Sequence, residues 1–194
     1  MNEPTSHTSS SPAGAGHPGS SGQDHVPARG AAAASGWIWL PLAVAIVALD
    51  QISKMWIVQH FALYERHDIL PVLDITLMYN TGAAFSFLST ASGWQRWLFV
   101  ALAFIVGAGI LVWMRRLNGR SQAPLCCSLA LILAGALGNV IDRLRIGHVV
   151  DFIHAHWNDA YFPAFNVADS AITIGAVLLL LDAWRDGRGR RVRQ

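Results

Sequence analysis

Charge is scarce in this sequence. Asp, Glu, Lys and Arg make up 13% of its 194 residues, while 53% are hydrophobic. Charged residues supply about 25% of a soluble globular chain, so the shortage points to lipid as the solvent. Cysteine is scarcer still: Cys126 and Cys127 are adjacent within an apolar run. That spacing fits neither a disulfide framework nor a zinc site, and both read as packing residues. The net charge of +2 comes without a dense basic patch interleaved with aromatics, which excludes a nucleic-acid partner. Two hydrolase signatures are missing as well. There is no His-Glu-x-x-His pair for zinc and no Gly-x-Ser-x-Gly elbow. Ser53 and Lys54 are neighbours, but adjacent helical side chains diverge by about 100° and cannot pair directly. Nothing calls for a cofactor.

Long apolar runs are what the chain has in abundance. Four are long enough to span a bilayer, at about 37–58, 94–114, 125–141 and 167–184. Residues 1–35, rich in Ser, Gly, Ala, Pro and His, have little to bury and are expected to form a disordered tail. The run that follows exceeds the 7–15-residue core of a secretory signal, so the first span reads as an anchor. The membrane domain then covers 36–186, and a basic tail covers 187–194. Arg115, Arg116 and Arg120 lie between spans two and three, and Arg185, Arg188, Arg190, Arg191 and Arg193 follow span four. The positive-inside bias puts both termini in the cytoplasm and the two longer loops outside.

Depth sorts the polar residues. Span one carries Asp50 and Lys54 in its outer half, span three ends in "GNVIDR" with Asn139, Asp142 and Arg143, and span four begins with Asn166 and Asp169. Helices of opposite direction deliver these groups to one end. An Asp or Lys at the centre of a span costs about 2.5–3.5 kcal/mol, so such groups are expected to face a protein interior.

The carboxylates differ in their neighbours. Asp50 and Lys54 are four apart with the acid first, the favourable order for an ion pair. Asp142 adjoins Arg143, but consecutive helical side chains do not face each other, which leaves that pairing open. Asp151, within "VVDFI", and Asp169, within "NVADSAI", have no neighbouring cation. Two desolvated acids are accommodated when they share a proton. One ionised and one neutral carboxyl can then divide the work of peptide hydrolysis, and Asp151 and Asp169 are the candidate dyad. Asp151, His154 and His156 form an alternative metal set, though the two histidines read as loop residues free to face solvent.

In the first outer loop, Leu73, Ile75 and Leu77 alternate with Asp74, Thr76 and Met78, which predicts a half-buried strand. A turn at Asn80, Thr81 and Gly82 follows, then an apolar piece with Phe85, Phe87 and Leu88 suited to the membrane interface. An extended substrate could pair with such a sheet edge.

"DQISK", "YNTGAAFSF", "GNVIDRLRIGHVVDF" and "FNVADSAI" occur in this order across the four spans. Together they resemble bacterial lipoprotein signal peptidase, signal peptidase II, over residues 37 to 184. The resemblance implies an aspartyl endopeptidase of the cytoplasmic membrane, acting near its outer face. Such an enzyme cuts prolipoproteins before a cysteine bearing diacylglycerol and is inhibited by globomycin. It implies Asp151 and Asp169 as the catalytic pair, with Asp50, Lys54, Asn80, Gly82, Asn139, Arg143 and Asn166 binding substrate or supporting the site. The expected fold is all-α: a four-helix membrane bundle with a small extracytoplasmic β element and an interfacial segment, acting as a monomer amid membrane lipid. A proton-coupled transporter using Asp50 and Asp169 is the alternative, although transporters place such groups near the midplane and often show internal repeats.

Overall fold

The computed structural model describes residues 34–82, 93–158 and 160–191, with side chains to Arg185. A 3-10 turn (Gly36–Trp39) leads into α1 (Leu40–His60), and α2 (Trp94–Arg116), α3 (Ala123–Ile146) and α4 (Val167–Arg191) complete the helices. All four are long and apolar enough to cross a membrane, so the chain is a multi-pass membrane protein. Pro41 and Pro124 sit in the first turns of α1 and α3, where a missing N–H breaks no helical bond. The third helix runs past the predicted end at 141 to Ile146 and stops at Gly147, whose φ of 86° suits glycine.

Lipid exposure inverts the pattern of a soluble bundle. Val44, Ile105 and Leu180 lie 68–70% exposed on the outside. The central helix is α3, with 56% of its span buried inside the protein against 17–22% for the other three. Between α3 and α4 small residues allow close approach. A Cβ on Gly135 would collide with the Ala168 carbonyl, and one on Gly175 would lie 2.7 Å from the Ser128 carbonyl. Ala43, Ile110, Met114, Leu129 and Leu133 pack the bundle core.

At the other end sits an antiparallel sheet in the order β1 (Arg66–Leu70), β2 (Leu73–Asn80), β3 (Val149–Trp157) and β4 (Ala160–Tyr161). Ile57, Leu77, Val150 and Phe152 pack it onto α1. The predicted strand is β2, but its alternation does not sort apolar from exposed. Asp74 and Thr76 are each 1% exposed, whereas Leu73 and Ile75 are half-buried. Asp74 is tolerated inside because Arg66 Nε lies 3.4 Å from its Oδ2 and His156 Nε2 lies 3.1 Å from its Oδ1.

The β3 strand corrects the reading of His154 and His156 as loop residues. Both belong to the strand, His154 is 6% exposed, and Arg66 Nη2 lies 3.2 Å from its Nδ1. Residues 83–92, the expected interfacial segment, and residues 1–33 of the expected tail lie outside the described residues. The backbone of α4 remains helical to Arg191, within the stretch read as a basic tail.

Candidate active site

Five elements, α1, β2, α3, β3 and α4, deliver the polar residues to one end of the bundle. Lys54 occupies the middle of the deepest cluster. Its Nζ lies 2.9 Å from Asp50 Oδ2 and 2.8 Å from Asp142 Oδ2, and it donates to Asn139 Oδ1 at 3.1 Å. The expected pair with Asp50 forms. Asp142 finds its cation on α1 rather than in the adjacent Arg143, as divergence of consecutive helical side chains requires. All three charges are at most 4% exposed. Such burial is tolerated only when the remaining lone pairs are also answered. Asp50 Oδ1 accepts from the Ala168 backbone N–H at 2.9 Å, Asp142 Oδ2 accepts from that of Val150 at 3.2 Å, and Gly138 leaves room for Asp50.

Asn139 links this cluster to Asp169. Its Oδ1 accepts from Lys54, and its Nδ2 donates to Asp169 Oδ1 at 2.8 Å. Asn166 caps α4 in a reciprocal arrangement. Its Oδ1 accepts from the Asp169 N–H at 2.9 Å, and its own N–H donates to Asp169 Oδ2 at 3.3 Å. From the other side Asn166 Nδ2 donates to Asp151 Oδ1 at 2.7 Å, so one residue touches both aspartates. Asn80 Nδ2 holds Asp151 Oδ2 at 3.0 Å, while Asn80 Oδ1 accepts from the Gly82 N–H at 2.9 Å. The amides of Asn80, Asn139 and Asn166 are therefore turned toward the acids.

Arg143 closes the rim. Its Nη2 donates to the Gly82 carbonyl at 2.9 Å, and its guanidinium stacks over Phe99 at 4.9 Å. A register shift in β2 between Ile75 and Met78 sets Asp151 opposite Met78. Bulges of this kind re-aim side chains beside functional sites.

Asp151 and Asp169 have different surroundings. Asp151 is 2% exposed between buried Val150 and Phe152, and Asp169 is half-buried. Burial, reinforced by the negative charge of Asp169, pushes the Asp151 carboxyl up to about 7, against the pull of the Asn80 and Asn166 amides and of Lys54. A carboxyl in that range can be either proton donor or acceptor near neutrality.

All ten residues singled out in the sequence gather here: Asp50, Lys54, Asn80, Gly82, Asn139, Asp142, Arg143, Asp151, Asn166 and Asp169. Gln51 had no assignment. Its Nε2 lies 3.1 Å from Asp50 Oδ2, 3.0 Å from Asp142 Oδ1 and 3.2 Å from the Gly138 carbonyl, bracing both acids around Lys54. The signal available was a second polar side chain beside Asp50 within an apolar span.

Known proteins resemble this chain in sequence and in fold. Residues 42–185 match the family model described as signal peptidase (SPase) II. A lipoprotein signal peptidase of Pseudomonas syringae pv. tomato is 54% identical over 151 residues, 77% of this chain and 86% of that protein. One from Pseudomonas putida is 50% identical over 161 residues, 82% of this chain and 92% of that protein. A solved structure described as a bacterial membrane enzyme, determined in meso at 2.3 Å resolution, superimposes with a TM-score of 0.70. It is 31% identical, and the match covers 77% of this chain and 89% of that one. A second, at 1.9 Å, gives 0.67 at the same identity, covering 77% of this chain and 94% of the other. In sequence and in fold, the chain belongs to the signal peptidase II family of membrane peptidases.

Proposed function

We propose that this chain removes signal peptides from diacylglyceryl-modified prolipoproteins, cutting immediately before the lipidated cysteine, with Asp151 and Asp169 as an aspartyl dyad. The observation that carries this reading is the clamp of Asn166 on both carboxyls, one of them raised to about 7 by burial and by the other. The pair shares one proton. Its ionised member takes a proton from water as the oxygen attacks the scissile carbonyl, and its neutral member protonates the carbonyl oxygen. On collapse the first acid returns its proton to the leaving nitrogen, the C–N bond breaks, and the second recovers its own. Signal peptide carboxylate and cysteine amine are the products.

The charge bias of the loops supports cytoplasmic termini and a site near the outer face of the inner membrane, where a lipidated cysteine would lie. Globomycin-type inhibitors would occupy the same site, and the exposed β1 strand offers an edge for an extended substrate. The transporter reading loses ground because the acids crowd one membrane boundary. Purified protein incubated with a diacylglyceryl-modified prolipoprotein and EDTA, followed by mass spectrometry, tests the reading. Cleavage just before the modified cysteine is expected, and folded protein that leaves the substrate intact overturns it.

A further inference from the structure

A groove of about 230 Å³ opens on the outside of the bundle between the last turns of α1 and α3. Met55, Val58 and Ile146 line it with apolar surface and are 43–47% exposed. Lys54 and Asp142 lie at its floor, already engaged with each other. Gln59 and Arg145 stand exposed at its mouth. Among the described residues Arg145 has no hydrogen-bond or ion-pair partner. Helix α1 ends at His60 and α3 at Ile146, so the mouth lies at the boundary of the hydrocarbon layer, at headgroup depth.

An unanswered guanidinium beside apolar walls at that depth matches one kind of neighbour: an anion attached to an acyl chain. Arginine binds phosphate through paired, charge-assisted hydrogen bonds, and anionic lipid is drawn to basic groups at the interface. We propose that the α1–α3 groove is a binding site for a glycerophospholipid, with its phosphate on Arg145 and Gln59 and an acyl chain along Met55, Val58 and Ile146. A diacylglyceryl group would leave Arg145 unanswered because it carries no charge. A peptide would find no open N–H to pair with, because only carbonyls stay unbonded in the last turns of α1 and α3. The site is separate from the dyad but shares Lys54 and Asp142 with the network that holds it.

Native mass spectrometry of the full chain released from detergent tests the proposal, with phosphatidylglycerol, chain-matched diacylglycerol and glycerol 3-phosphate as probes. Phosphatidylglycerol is expected to bind at least about tenfold more tightly than diacylglycerol, the effect of one charge-assisted contact. Arg145→Ala disturbs no internal partner and should weaken phosphatidylglycerol about tenfold while leaving diacylglycerol unchanged. Val58→Trp should fill the groove and weaken both. Unchanged phosphatidylglycerol affinity in Arg145→Ala overturns the phosphate contact. Loss in that variant without loss in Val58→Trp overturns the groove as the seat. Competition by equimolar glycerol 3-phosphate would assign the site to a soluble anion instead. These readouts do not depend on cleavage, so they stand or fall apart from the peptidase reading.

Discussion

Asn166 Nδ2 donates to Asp151 Oδ1 at 2.7 Å while the Asn166 backbone N–H reaches Asp169 Oδ2 at 3.3 Å. The residue that starts α4 thereby fixes the spacing of the two acids, and helix capping and site geometry become one requirement. The backbone bridge between Ile153 and Phe165 brings β3 to the start of α4, and the Asn166 amide then ties the two acids together.

Asp151→Asn and Asp169→Asn should each lower cleavage by about 10²–10⁴, the range lost with a general acid or base. Both keep side-chain volume, so insertion and thermal unfolding in detergent should remain close to wild type. Near-native turnover in either variant removes that residue from the dyad. Asn166→Ala should lower stability as well, by about 1 kcal/mol for the lost cap, together with activity. Loss of activity in Asn166→Ala with no fall in unfolding temperature would show that the cap contributes nothing.

The ion trio of Asp50, Lys54 and Asp142 makes a different prediction. Breaking a buried pair leaves an uncompensated charge and costs about 3–5 kcal/mol. Lys54→Met strands two buried carboxylates beside each other, whereas Asp142→Asn leaves Lys54 with Asp50. Thermal unfolding should therefore rank Lys54→Met as the more damaging change. Equal losses would mean that Lys54 is not the group that holds the two carboxylates together.

The boundaries of these effects follow what was legible in the sequence. The Asp50–Lys54 pair was readable because it is local, four residues apart on one helix. Lys54–Asp142 was not, since it joins residues 88 positions apart and local rules offered Asp142 only Arg143. The Val149–Phe152 run lacks alternation because all four of its residues are buried, which hid the strand. Asp74 inside β2 was equally hidden: its partners Arg66 and His156 come from other strands. The spans and the gathering of polar groups at one end were readable because lipid imposes both, one by length and the other by cost.

Glycine spacing gives the third prediction. A Cβ on Gly138 would lie 2.5 Å from Asp50 Oδ2, and one on Gly175 would lie 2.7 Å from the Ser128 carbonyl. Gly138→Ala should displace Asp50 from the Ala168 N–H at the start of α4, reducing both unfolding temperature and cleavage. Gly175→Ala should loosen the α3–α4 pair farther from the dyad, reducing stability more than turnover per folded molecule. If both variants lose turnover in proportion to stability alone, Asp50 does not position the site.

Acidity supplies the last prediction, and its sign can be worked out from Asp151. This carboxyl is raised to about 7 in the fold, from an ordinary value of 3.8. The folded state therefore favours its protonated form. That contribution to stability is complete below about pH 4 and is lost as pH rises through 7. Asp151→Asn cannot ionise, so its unfolding temperature should fall less than that of wild type between pH 4 and 8.

Under the proposed mechanism turnover should be bell-shaped, because a dyad sharing one proton is active in a single protonation state. Its acid limb falls when both carboxyls are protonated, and its basic limb falls near 7 when both ionise. Removing the Asn80 amide withdraws a hydrogen bond that favours the charged form of Asp151. Asn80→Ala should therefore move the basic limb to higher pH, even where it lowers the maximum rate. The measurement is turnover from pH 4 to 9 on a substrate without titratable groups near the cut. A basic limb that stays in place in Asn80→Ala assigns it to another group, and a rate flat to pH 9 in wild type rules out the shared proton even if both aspartates are essential.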